Sequence, residues 1–362
     1  MVKVSAVICE LNPMHQGHRY IFERAKENAD VLVAVMSGNY VQRGESAIFD
    51  KYTRARAALE GGVDLVIELP FPYCSASAEF FAEAGVRLAE LSGAQELFFG
   101  SECADIDALK RAAKILDERR EHKPGRAAAD REESLRASGE SFPESIYSSP
   151  NDILAAEYVR RAAVECHPVK RIKTQSASEI RNDILTRISK DEAQESVRNE
   201  YGAAPACPAR LTEIEFYHFR TVPSCGRFAE SGGGVGERLI KAARSVNDPA
   251  LWLSAAATKQ YTNARLRRCA LFEVCAVTAG ALRETPGFIR ILAANRTGRK
   301  YLSFLRGSSS VPVLTNPADR RGLDEAAMRQ YRESDAADRL YTLCAGIEDS
   351  SFFARARPFV EK

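Results

Sequence analysis

Val4-Ser5-Ala6-Val7-Ile8-Cys9-Glu10-Leu11-Asn12-Pro13-Met14-His15-Gln16-Gly17-His18-Arg19-Tyr20 is the stretch from which the fold is read. Its first six residues form a short apolar run ending in a polar turn, the mark of a buried strand. Pro13 breaks the backbone, and a helix is expected to start near Met14, because Ile21, Phe22 and Ala25 recur at helical spacing. His15 and His18 then lie at a helix N-terminus, three residues apart and on one face. Free backbone N–H groups and the positive end of the helix dipole make phosphate the natural guest there. Gly17 leaves room for an adenine or ribose to approach the backbone. A histidine pair can also be plain polar surface. What favours the nucleotide site is position: the first strand-to-helix turn of an alternating pattern is where open α/β sheets bind ligands.

Outward from this motif, further short apolar runs occur at 31–36, 65–69, 96–99 and 169–172, separated by helical patterns such as 51–60 and 79–91. Strands alternating with helices predict an α/β fold with a Rossmann-like, doubly wound parallel sheet. Residues 104–148 are charged and alanine-rich, with an amphipathic helix over 107–121, a break at Pro124-Gly125 and a second helix ending before Pro143. They read as a helical hairpin inserted above the sheet. Ser231-Gly232-Gly233-Gly234-Val235-Gly236 is a flexible run, after which helical patterns dominate from 237 to 293. Further helical stretches are expected at 322–332 and 335–345. The expected organisation is a catalytic domain over 1–190, a linker over 191–236, and a mainly helical, basic domain over 237–362.

A chain of 362 residues with a formal charge of +2 has the composition of an ordinary globular protein and excludes collagenous or disordered classes. No basic segment leads into an apolar leader, and no apolar run reaches the length of a membrane span, so a cytoplasmic protein without a membrane partner is expected. The nine cysteines include no C-x-x-C pair, which argues for reduced thiols and against a zinc site or disulfide framework. Cys207, between Pro205 and Pro208, is the expected exposed one.

The motif His15-Gln16-Gly17-His18 resembles the signature of the His-x-Gly-His (HxGH) nucleotidyltransferase superfamily. A more specific resemblance lies in Met36-Ser37-Gly38-Asn39-Tyr40-Val41-Gln42-Arg43-Gly44-Glu45, Asp50-Lys51 and Gly61-Gly62-Val63-Asp64-Leu65-Val66-Ile67-Glu68-Leu69-Pro70. Phe99-Gly100-Ser101-Glu102, Ser149-Pro150-Asn151-Asp152, Lys170-Arg171-Ile172, Ser176-Ala177-Ser178-Glu179-Ile180-Arg181 and Tyr261-Thr262-Asn263-Ala264-Arg265-Leu266-Arg267-Arg268 follow in order. Over roughly residues 1–305 the chain is similar to the tRNA(Met) cytidine acetate ligase (TmcAL) family.

That resemblance implies a HUP-type fold and a ligase that activates acetate with ATP to acetyl-adenylate. The acetyl group then passes to the wobble cytidine of elongator tRNA(Met), giving 4-acetylcytidine. ATP, with the Mg2+ that triphosphates carry, would be held by residues 7–20, Gly100, Asn151, Arg171, Ser176, Ser178 and Arg181. His15 and His18 would stabilise charge on the transferring phosphoryl group. Local readings stand beside these roles: Gly100 as a strand end, Asn151 as a helix cap, Arg181 paired with a surface carboxylate. The loop after the second strand should lie at the sheet edge of His15, where Arg43 and Lys51 could neutralise acetate or pyrophosphate. Adenylation requires no protein nucleophile, since acetate attacks and catalysis is positioning plus charge stabilisation.

Between Arg238 and Lys300 stand twelve Lys or Arg against three acidic residues. Lys259, Arg265, Arg267, Arg268, Arg296, Arg299 and Lys300 are the expected phosphate-contacting face, with Tyr261 stacking on a base. A solvated helical face is the alternative. Only Ile172, Lys173, Thr174 and Gln175 separate Arg171 from Ser176, a shorter loop than the family usually carries, which implies a reduced lid. Two other functions fit the same motifs: a small-molecule adenylyltransferase, with no use for the basic helices, and a non-catalytic nucleotide- or RNA-binding homologue.

Overall fold

Val4 to Cys9 is buried along its whole length, with Val4, Ala6 and Ile8 packed into one core and Val7 and Cys9 into another on the opposite face of the sheet. A strand covered on both faces belongs in the middle of a parallel sheet. The computed structural model describes residues 2–118, 127–189, 194–258 and 261–361. From the N-terminus the chain runs β1 (Val4–Cys9), α1 (Gln16–Lys26), β2 (Val31–Ser37), the short hairpin β3 (Tyr40–Val41) and β4 (Glu45–Ser46), α2 (Lys51–Glu60), β5 (Leu65–Leu69), α3 (Ala78–Leu91) and β6 (Glu96–Ser101). Then come α4 (Ile106–Glu118), α5 (Ala127–Ala137), α6 (Glu144–Ser148), α7 (Pro150–Arg161) and β7 (Glu165–Lys170).

The strands β5-β2-β1-β6-β7 are neighbours in that order, all parallel. Chain order reverses between β1 and β6, and the crevice beyond the strands' C-terminal ends at such a reversal is the natural ligand site of an open α/β sheet. The segments that leave β1, β2, β6 and β7 all emerge at this edge.

A helical body follows β7: α8 (Ala177–Ile188), α9 (Gln194–Tyr201), α10 (Pro208–Thr221), α11 (Val235–Ser245), α12 (Pro249–Ala256) and α13 (Asn263–Val274). Phe216, Phe219, Leu239, Trp252, Leu266 and Cys269 make its separate core. The tail then returns to the sheet as β8 (Ile289–Ala294), α14 (Arg296–Ser308), β9 (Val313–Leu314), α15 (Glu325–Ala345), α16 (Phe352–Arg355) and β10 (Phe359–Val360). β8 lies antiparallel to β5, with Leu65 opposite Ala294, and carries β9 and β10 on its other contacts.

This differs from the expected domains. A second core runs from α10, inside the expected linker, to α13, although Leu211, Leu271 and Phe272 of those helices join the main core, while β8 and β10 pair into the sheet of the first domain. Ile289–Ala294, expected as helical, is a fully buried strand, because an apolar run of this length pairs as readily as it coils. The two helices expected at 322–332 and 335–345 are one, α15. The first helix of the expected insertion, α4, buries Leu109 and Leu116 in the main core and lies in the helical layer beside α7 and β7. All nine cysteines are free thiols, and Cys207 is half-buried, as are Cys103, Cys166 and Cys275. Among the described residues, no helix is long and apolar enough to cross a membrane.

Candidate active site

Helix α1 begins one turn beyond the C-terminal end of β1, and His15 is its N-cap. The backbone N–H of Gly17 donates to His15 Nδ1 at 3.0 Å, and that of His15 donates to His18 Nδ1 at 3.3 Å. The ring centroids are 4.0 Å apart. With both Nδ1 atoms accepting, each imidazole carries its proton on Nε2 and keeps that N–H as a donor. Burial, then the charge of Arg171, holds His15 below its ordinary pKa; burial, then His15 and Arg171, takes His18 down to about 3. Both are neutral donors at physiological pH. The expected free N–H groups of the first turn are thus partly taken: that of Gly17 is held by His15. A Cβ on Gly17 would stand 2.8 Å from His15 Cε1 and 3.6 Å from Thr174 Oγ1. The glycine makes room for the ring and for the short loop after β7.

Three side chains gather around Glu102, just past β6. Asn151 Nδ2 donates to Glu102 Oε1 at 2.7 Å and Arg171 Nη1 to the same oxygen at 2.8 Å. Asn151 therefore does not cap its helix. Buried Asp152 shapes the turn, accepting the N–H groups of Glu102 and Cys103 at 2.8 and 2.9 Å. Neither acid stood among the expected site residues, although both occupy quoted motifs. Gly100 lies next to last in β6, against α1, where a Cβ would be 3.2 Å from Ile21 Cδ1, so the strand continues through it to Ser101.

Ser176 caps α8 through a reciprocal pair with Glu179, its hydroxyl accepting one N–H while the carboxylate accepts its own. Arg181, one turn on, donates to the Asn12 carbonyl at 2.6 Å and to Ser178 Oγ at 3.0 Å. It bridges α8 to the histidine motif, and no carboxylate among the described residues forms an ion pair with it. Arg43 is exposed in the β3–β4 turn, and Glu10 accepts the Gln42 N–H at 2.8 Å, tying that turn to the motif.

Several expected binding residues act otherwise. Val7, Ile8 and Cys9 of β1 and Leu11 and Pro13 beyond it are buried, and burial pushes the Cys9 thiol up to about 12, so these side chains lie in the core beneath the site. Asn12 Oδ1 accepts the Ile48 N–H, Met14 packs against α2 at Gly61, and Arg19 turns to the Glu60 carbonyl. Gln16 and Tyr20 lie on α1 at the surface and half-buried respectively.

Lys51 is a correction. It is fully buried, with Nζ 2.7 Å from both Glu68 and Asp338, and Arg290 completes the group at 3.1 and 3.7 Å from the same acids. Burial alone would lower its pKa, but Asp338 and Glu68 hold it above the ordinary value. Its charge is spent inside the protein, and it reaches neither acetate nor pyrophosphate.

The expected phosphate face also divides. Arg265 and Arg268 are buried and pair with Glu230 at 3.5 and 3.1 Å. Tyr261 donates its hydroxyl to the Gly233 carbonyl, and the Arg265 guanidinium lies 5.3 Å from its ring centre, so it is not a free stacking platform. Arg267 pairs with Glu45 of the hairpin at 2.5 Å. Arg296, Arg299 and Lys300 are exposed on the first turns of α14, which starts against Asp64 before β5, the opposite edge of the sheet from the histidines. Lys259 lies outside the described residues.

A family model described as HIGH Nucleotidyl Transferase matches residues 2–352. The tRNA(Met) cytidine acetate ligase of Listeria monocytogenes serotype 4b (strain CLIP80459) is 31% identical over 96% of each chain. That of Syntrophotalea carbinolica is 30% identical over 87% of this chain and 85% of its own. Among solved structures, Thermotoga maritima TmcAL bound with alpha-thio ATP matches with a TM-score of 0.86 at 28% identity, covering 99% of both chains. With the histidine pair on the first helix and the strand order that places it, the chain belongs to the HIGH nucleotidyl transferase family and, within it, to the tRNA(Met) cytidine acetate ligases.

Proposed function

We propose that this protein activates acetate with ATP and acetylates the wobble cytidine of elongator tRNA(Met). The observation that carries the reading is the pair of neutral imidazoles at the start of α1, each with Nδ1 occupied and Nε2–H available. In the first step an acetate oxygen attacks the α-phosphorus, the bond from that phosphorus to the bridging oxygen breaks, and pyrophosphate leaves. His15 and His18 donate to the oxygens on which charge accumulates, and preorganised donors of this kind act most strongly where water is scarce. Arg171 and Arg181, anchored by Glu102 and the Asn12 carbonyl, offer guanidinium charge to the phosphates. In the second step the exocyclic amine attacks the acetyl carbon, the carbon–oxygen bond to AMP breaks, and the nitrogen loses a proton. Asn151 and the first turn of α8 complete the nucleotide side.

Magnesium enters as part of the nucleotide. Glu10 already accepts the Gln42 N–H, and Glu102 already holds Asn151 and Arg171, so the donor set fits an ion that keeps its ligands on phosphate and water. The cluster Glu96, Glu165 and His167 stands at the start of β6 and within β7, away from the histidine pair.

Exchange of labelled pyrophosphate into ATP, with and without acetate, tests the first half, and transfer of labelled acetate to unmodified methionine tRNA tests the second. Acetate-dependent exchange that is lost in His15→Ala and His18→Ala is the expected result. If no short acid supports any exchange, the ligase reading is lost, and ATP binding that is nevertheless retained would favour a non-catalytic homologue.

A further inference from the structure

A cleft of about 530 Å3 opens next to the histidine motif, between the β3–β4 turn, the first turn of α3, α5, α7 and the first turn of α13. It adjoins the nucleotide side twice: Gln42 on its rim is bonded to Glu10, and Pro150 on its wall precedes Asn151. Gly44 (φ +74°) makes this geometry, since a Cβ there would stand 2.6 Å from the Arg268 backbone nitrogen and force the hairpin off α13. Ligand pockets of roughly 300–1,000 Å3 hold molecules of nucleotide size, far more than a two-carbon acid needs.

The chemistry of the walls is uneven. Pro150, Ile153 and Leu154 form an apolar side. The acids of the cleft are already engaged: Glu45 by Arg267 at 2.5 Å, Glu79 by Arg161 at 2.8 Å, Glu157 by Arg160 at 3.3 Å. Arg131 is not. Its Nε is buried without a hydrogen-bond partner, and the carboxylates whose charge reaches it, Glu157 and Glu132, are each paired with another arginine, Arg160 and Arg136. A half-buried guanidinium with a desolvated, unbonded N–H is costly to keep, and an incoming anion would complete it. Arg43, at the cleft's mouth, is a second cation that no carboxylate among the described residues engages.

An anion joined to a flat apolar body is a nucleotide within a single strand. We propose that this cleft is the RNA-side subsite, receiving the unpaired target nucleotide with its flanking phosphate on Arg131 and its base against Ile153 and Leu154. This rests on the acetyl-transfer reading above. Recognition of unpaired nucleotides by phosphate contact plus a flat apolar surface is the usual economy of RNA-binding sites.

The test uses the full chain and its Arg131→Met and Arg131→Lys variants. Acetate-dependent pyrophosphate exchange without RNA should be unchanged in both. The KM for methionine tRNA should rise about tenfold in Arg131→Met with kcat retained. The salt dependence of binding an anticodon stem-loop, read by fluorescence anisotropy, should lose about one unit of slope in Arg131→Met and keep it in Arg131→Lys. Thermal unfolding of Arg131→Met should occur near the wild-type temperature or above, because a buried N–H without a hydrogen-bond partner has been removed. Normal exchange with wild-type KM and salt slope would overturn the proposal, and so would a lowered unfolding temperature with no change in KM. If wild type performs no exchange, the ligase reading fails separately, and equal stem-loop affinity and salt slope in wild type and Arg131→Met would then overturn the cleft assignment.

Discussion

Two groups of ionisable side chains stand at the C-terminal edge of the same sheet and have opposite fates. His15 and His18 use one ring nitrogen each to hold backbone N–H groups and present the other outward. Lys51, Glu68, Arg290 and Asp338 use their charge on one another and are closed to solvent. The lesson is that residue type does not mark a working charge. A group is available for chemistry when the fold satisfies only part of its hydrogen-bonding capacity.

Removing one member of the closed group should have the largest effect. Lys51→Met leaves two buried carboxylates short of a cation and should cost about 3–5 kcal/mol of folding free energy, measured by urea denaturation. Wild-type stability in this variant would break the distinction. His18→Ala should do the reverse, lowering acetate-dependent pyrophosphate exchange by about 10²–10³ while the urea midpoint stays near that of wild type. A variant that unfolds early instead would make the pair structural.

The two groups also sit at opposite ends of the pH curve. The folded His15 and His18 bind a proton less readily than the unfolded chain, so their contribution to stability is full above about pH 6.5 and is lost as the pH falls from there toward about 3. Each pKa unit corresponds to about 1.4 kcal/mol. Lys51 is shifted upward, so its contribution is present below about pH 10.5 and is lost only as the pH rises through the folded value. Unfolding free energies near pH 7.5 and near pH 5 should therefore differ less in His18→Ala than in wild type, and equal pH slopes would undo the neutral-donor assignment. The smallest effect should come from Arg299→Ala at the far edge of the sheet, with KM for tRNA and stem-loop affinity unchanged; a weakened affinity would extend the RNA path around the molecule.

The parallel sheet was legible because its signals are local. β5 (Leu65–Leu69) and α2 (Lys51–Glu60) are observed at the bounds their apolar runs and periodicity indicate. The strand-to-helix turn carrying the histidines was read from Pro13 and the spacing of Ile21, Phe22 and Ala25. β8 was not legible, since a short buried run has no period to separate strand from helix. Arg181 was named from its signature as a phosphate-side arginine, but its bond to the Asn12 carbonyl was not, and Glu102 and Asp152, in motifs just as visible, were passed over. Their roles depend on a contact across about fifty positions, from the end of β6 to the start of α7.

The sequence by itself determined the alternation of strands and helices, the place of His15 and His18 on the first helical turn, and the family, because spacing and turn chemistry act over a few residues. Only the tertiary structure decided which charges remain free. Lys51 meets Asp338 across 287 positions and Arg267 meets Glu45 across 222. Partners so distant leave no periodic trace along the chain, and electrostatic availability depends on what folding brings within a few ångströms.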